Sequence, residues 1–95
     1  MSITETMIDI PAEHARNVFG QYDVFIKKIE RTLNVTVIVR DNMIKIVGET
    51  GHVAKAKRVF FNLLELSKRG EPIGEQNVDY ALSLSFDDQE TSIVT

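Results

Sequence analysis

The sequence predicts a small mixed α/β domain of the α+β kind. Its order is strand, helix, helix, strand, strand, helix, with an antiparallel three-stranded sheet packed by helices on one face and a short C-terminal helix added. Three observations predict it. Two β-rich runs, 35–39 and 43–47, flank Asp41-Asn42, which reads as a hairpin. Apolar residues recur every three or four positions on both sides of Gly20 and again from residue 53 to 67. The 95 residues, 43% apolar and 26% charged, are enough for one core and too few for two.

Met7-Ile8-Asp9-Ile10 is a short apolar stretch closed by Pro11, so a strand should end near Ile10 and a helix begin near Pro11. That helix carries Ala12, Ala15, Val18 and Phe19 and stops at Gly20. A second helix follows, its stripe of Val24, Phe25, Ile26, Ile29 and Leu33 set against Lys27, Lys28, Glu30 and Arg31 on the solvent side. Asn34 can adopt the left-handed conformation that ends it.

After the hairpin, Glu49 or Thr50 offers a cap for a long helix over 52–69, which Lys68, Arg69 and Gly70 bring to a stop. That helix has a second apolar ridge, Val59, Leu63 and Leu66, which needs a partner inside or outside the chain. Residues 75–84 make the added short helix. The domain is then 1–84, and 85–95 is a flexible tail whose abrupt end reads as a cut from a longer chain.

Charge is unevenly distributed. Residues 1–23 carry a net −3, residues 24–69 a net +6, and residues 70–95 a net −6. A basic middle suits an anionic partner, and acidic ends also solubilise a domain. With no cysteine, disulfides, thiolate metal sites and cysteine nucleophiles are excluded. No signal sequence and no membrane-length apolar run is present, so a soluble cytoplasmic protein without membrane partners is expected.

Between the first two helices lies Gly20-Gln21-Tyr22-Asp23, followed by Ile26 and Ile29 in register and the β-rich Val35-Thr36-Val37. This arrangement resembles the KH module, whose GxxG loop clamps a single-stranded backbone. The first glycine matches and the last is Asp23. A carboxylate there can cap the helix beginning at Val24, a contribution of about 1 kcal/mol, and would occupy the anion seat with its own charge. The corner therefore reads as a capped turn or as a weakened clamp. In the second case Gly20, Gln21, Tyr22, Lys27, Lys28 and Arg31 would meet RNA, the cations through phosphates and Tyr22 by stacking.

Over residues 6–84, the pattern of Phe19-Gly20, the Ile26-Lys27-Lys28-Ile29-Glu30 helix, the hairpin, the long helix and Val78-Asp79-Tyr80-Ala81-Leu82 is similar to the N-terminal domain of PhoH-like proteins. The resemblance implies a KH-like domain followed by a P-loop ATPase domain, in cytoplasmic bacterial proteins of RNA metabolism and phosphate starvation. It also implies that ATP and magnesium belong to that second domain, and that the second apolar ridge faces it. No GxxxxGK followed by Ser or Thr occurs here, so no cofactor is expected on these residues.

His14 and His52 lack the ligand neighbours of a zinc site, no GxSxG elbow is present, and Asp87-Asp88 lies in the tail, so neither a metal nor a catalytic residue is expected. The expected function is a non-catalytic accessory module that contacts RNA weakly or regulates the ATPase domain of its own chain. The alternative is a protein-interaction or homo-oligomerisation domain with a degenerate loop and no nucleic-acid affinity.

Overall fold

The computed structural model describes residues 2–86. Its elements are β1 (Ile3–Asp9), α1 (Ala12–Phe19), a 3-10 turn (Gln21–Asp23), α2 (Val24–Leu33), β2 (Thr36–Arg40), β3 (Met43–Glu49), α3 (Thr50–Lys68) and α4 (Glu75–Phe86). The expected order of elements is present. The sheet is antiparallel in the order β1-β3-β2, so β3 is central and both β1 and β2 are edges.

The pleat sorts the side chains. Ile8, Ile44 and Ile46 point into the helices and are buried, while Glu5, Met7, Lys45 and Ile38 share the opposite, open face. β1 begins at Ile3, four residues before the expected apolar stretch. The hidden part is polar on the inward side: Thr4 and Thr6 face the helices, so no apolar alternation marks it. Beneath the sheet, Val18, Phe19, Ile26, Ile29, Leu33, Phe60 and Leu63 complete one core.

Three expectations need correction. The start of α3 is not capped by a side chain; Glu49 sits extended at the cap position and faces the His52 ring at 3.6 Å, while the Thr50 N–H donates to the Ser2 carbonyl at 3.1 Å. The first turn of α3 is thus held by the start of the chain rather than by a cap. The second apolar ridge finds its partner inside the chain. Val59 and Leu63 are fully buried, and α4 packs along α3 with Val78, Ala81 and Leu82. Finally, α4 runs two residues past the expected end, to Phe86; the tail expected beyond it, with Asp87-Asp88, lies outside the described residues.

The stop of α3 matches its sequence. Gly70 is left-handed (φ 87°), its N–H donates to the Ser67 carbonyl, and the Glu71 N–H donates to that of Leu66. This is the six-to-one and five-to-two pairing that closes a helix on a glycine. The chain then turns back past α1, where Asn17 fixes it. The Asn17 Nδ2 donates to the Glu71 carbonyl at 2.8 Å and to Ser67 Oγ at 3.0 Å, and its Oδ1 accepts the Ile73 N–H at 2.8 Å.

Candidate nucleic-acid interface

The corner between α1 and α2 is built on backbone geometry that its side chains do not favour. Gly20 has φ 81°, and a Cβ there would lie 2.8 Å from the Phe25 ring and 2.9 Å from Val24, so only glycine fits. Tyr22 (φ 58°) and Asp23 (φ 59°) are also left-handed, although neither is glycine. Such residues typically cost about 1 kcal/mol or more each, with aspartate the more tolerant. The loop holds a glycine-like path without the glycines.

Asp23 does not do what its sequence position suggests. Its side chain is exposed and makes no capping hydrogen bond to α2; its main-chain N–H donates to the Gly20 carbonyl at 3.1 Å. A capping residue takes an extended backbone that swings its oxygen over the helix amides, and the left-handed one here removes it. The first amides of α2 are therefore not capped by this carboxylate. The main-chain N–H groups of Gln21 and Tyr22 donate to no backbone group among the described residues. Both residues line a shallow hollow of about 330 Å³, together with Arg16, Phe19, Gly20 and Asp23.

Of the candidate residues, Gln21, Tyr22, Lys27 and Arg31 are exposed around this corner, Tyr22 to 84%. Val24, Lys27 and Arg31 share one face of α2, three and four positions apart, and extend the corner into a stripe. Lys28 behaves differently from its expected solvent-facing role. It is half-buried and ion-paired to two carboxylates of α4, Glu75 at 2.8 Å and Asp79. Those bonds, Asp79 first and Glu75 second, raise the amine's pKa. Its charge is already answered inside the fold.

One residue was missed from the sequence. Arg16, in the last turn of α1, lines the hollow at Gly20 and also a second one, with Asn17, Gln21 and Phe25. The legible signal was its carbonyl's place four residues before Gly20, whose N–H it accepts at 2.9 Å. The net charge of the corner is modest. Arg16, Lys27 and Arg31 stand against Asp23 and Glu30, so phosphates are attracted by a single charge in excess.

Among the described residues no cluster of three or more His, Asp or Glu could hold a metal ion, and no helix is long and apolar enough to cross a membrane.

Comparison with known proteins agrees with this geometry. A family model described as "KH domain" matches residues 4–60. A PhoH-like protein of Bacillus subtilis (strain 168) is 33% identical over 73 residues, and one of Mycobacterium tuberculosis (strain ATCC 25618 / H37Rv) is 29% identical over 77. These alignments cover 77% and 81% of this chain but only 23% and 22% of the relatives, so the chain spans under a quarter of the curated proteins it matches. The crystal structure of a protein of unknown function from Aeropyrum pernix superposes with a TM-score of 0.71 at 12% identity, over 99% of this chain and 52% of that one. That likeness concerns the fold.

Proposed function

This chain belongs to the KH domain family, in the form found at the N-terminus of PhoH-like proteins, and from that premise we propose that it is a non-catalytic module making weak, sequence-tolerant contacts to single-stranded RNA. One observation carries the reading: the corner at Gly20–Asp23 keeps an exposed, left-handed path whose Gln21 and Tyr22 N–H groups have no backbone partner among the described residues, beside a hollow that Arg16 helps to line, and Asp23 does not cap α2. A phosphate against those amides would be held by Arg16, the next ones by Lys27 and Arg31, and a base would stack on Tyr22. Lys28 contributes little, because α4 neutralises it.

The weakness follows from charge. Three cations against two acids give affinity that collapses with salt. In a longer chain of PhoH-like type, this module would bring RNA to an ATP-binding part that carries the nucleotide and magnesium chemistry, or regulate that part. Roles in RNA metabolism and in phosphate starvation belong to the same proposal.

The test is titration of a short labelled single-stranded RNA with the chain at about 50 mM salt, where phosphate contacts are strong. Binding in the micromolar range or weaker is expected, and no binding at that salt would overturn the reading. The alternative, a protein-interaction domain, is favoured by a different part of the molecule, the free edge of β1.

A further inference from the structure

The two edges of the sheet are treated differently. On β2, outward-facing main-chain groups belong to Val37 and Val39, because Arg40 and Met43 flank the two-residue hairpin and must bond each other. The Val37 N–H is taken by the Glu30 carboxylate at 2.7 Å, and α2 lies along this edge. Edge strands are commonly blunted in this way.

β1 is open. The Ile10 N–H donates to the Asn42 carbonyl and the Thr50 N–H to that of Ser2, which fixes the phase of the β1–β3 ladder: even-numbered residues of β1 bond β3, and odd-numbered ones turn outward. Ile3, Glu5, Met7 and Asp9 therefore each present one N–H and one C=O to the outside along a seven-residue strand, and no described residue pairs with them. Their side chains stand on the open face, where Ile3 is 69% and Met7 54% exposed, and Ile38 continues the apolar surface beyond Lys45.

We infer that a second copy of this chain pairs with β1 antiparallel about a two-fold axis through Thr6, joining two three-stranded sheets into one of six. The strand itself selects this register. Only a centre at Thr6 overlaps all seven residues and pairs every outward-facing residue, Ile3 with Asp9 of the other copy and Glu5 with Met7 of the other copy, with two main-chain hydrogen bonds at each of the four pairs.

Charge selects it again. A centre at Glu5 would set two glutamates face to face, and a centre at Met7 would oppose Glu5 to Asp9; the Thr6 centre opposes no like charges. The edge beside α2 is β2, at the far side of the sheet, so this pairing does not cover the α2 stripe.

The test is sedimentation of the chain without RNA, with two sets of variants. The wild type is expected to show a concentration-dependent species of twice 10.8 kDa. Met7→Glu places a glutamate opposite Glu5 of the other copy and should raise the dissociation constant at least tenfold, while remaining folded beside Lys45. Adding Glu5→Lys to it restores opposite charges and should recover most of the affinity. Thr6→Cys, in a sequence with no other cysteine, should give an intermolecular disulfide under mild oxidation, since facing residues at a non-hydrogen-bonded pair lie within bridging distance.

A monomer at every concentration overturns the inference. So does a dimer that Met7→Glu leaves unchanged and Thr6→Cys fails to cross-link, which would assign assembly to another surface. Neither outcome bears on RNA binding by the corner at Gly20.

Discussion

Glu30 of α2 and Val37 of β2 are joined directly: the carboxylate accepts the strand's main-chain N–H at 2.7 Å, at a partly buried site. One side chain thus fixes the helix to the sheet and takes one of the main-chain donors on the β2 edge. Glu30→Ala leaves the Val37 N–H without a partner and is expected to cost about 1.5 to 2 kcal/mol in urea unfolding. It also removes an acid from beside Arg31, so RNA binding should tighten in the same variant. Unchanged stability would show that the bond is incidental.

The left-handed residues of the corner give a second expectation, of opposite sign to the one a helix cap would give. Tyr22→Gly should stabilise the fold by about 1 kcal/mol and Asp23→Gly by about half that, since glycine adopts this backbone freely and no capping bond is lost. Gly20→Ala should destabilise by about 2 kcal/mol, because its Cβ meets the Phe25 ring at 2.8 Å on a backbone with φ 81°. Thermal or urea denaturation of the three variants checks this. A destabilised Asp23→Gly would restore the capping role.

Asn17 holds the return of the chain toward α4. Asn17→Ala removes its bonds to Ser67, Glu71 and Ile73 together and leaves a partly buried N–H unpaired, for an expected loss of about 2 to 3 kcal/mol. Faster hydrogen exchange should appear first in α4, at Val78 to Leu82, and equal protection of α4 in both proteins would contradict it.

Lys28 ties α4 to α2 through Asp79 and Glu75, and these raise its pKa above the ordinary 10.5. A raised amine pKa contributes stability that is fully present below 10.5 and is lost as pH climbs through the folded-state value. The wild type should therefore be more stable than Lys28→Gln at neutral pH, lose that advantage in strongly alkaline solution, and lose much of it in high salt because the carboxylates are exposed. Equal stability at neutral pH and low salt would mean that the pairs contribute nothing.

Legibility in the sequence followed the range of the interaction. The hairpin, the helices on either side of Gly20, the left-handed Asn34 and the glycine stop at Gly70 are set by spacing and by neighbours, and each stands where the chain's periodicity places it. The start of β1 was hidden because Thr4 and Thr6, not apolar residues, face inward.

Contacts across the fold were hidden altogether. Nothing local marks Lys28 as the partner of residues 47 and 51 positions away, or α4 as the cover for Val59 and Leu63. Asp23 misled for a physical reason: residue type signals a cap, but the cap depends on a backbone angle that one sequence does not reveal. Arg16 was passed over because its role depends on the hollow that the turn creates.

The most direct measurement is the salt dependence of single-stranded RNA binding by the wild type and by a variant with Arg16, Lys27 and Arg31 all changed to Ala. Three phosphate contacts imply a slope of about −2 in log affinity against log salt, or roughly a 20-fold loss between about 50 and 200 mM. The triple variant should bind barely if at all, with a nearly flat dependence. A wild type that does not bind at the lower salt, or a triple variant with the same slope, would contradict the assignment of this corner as the RNA-contacting surface.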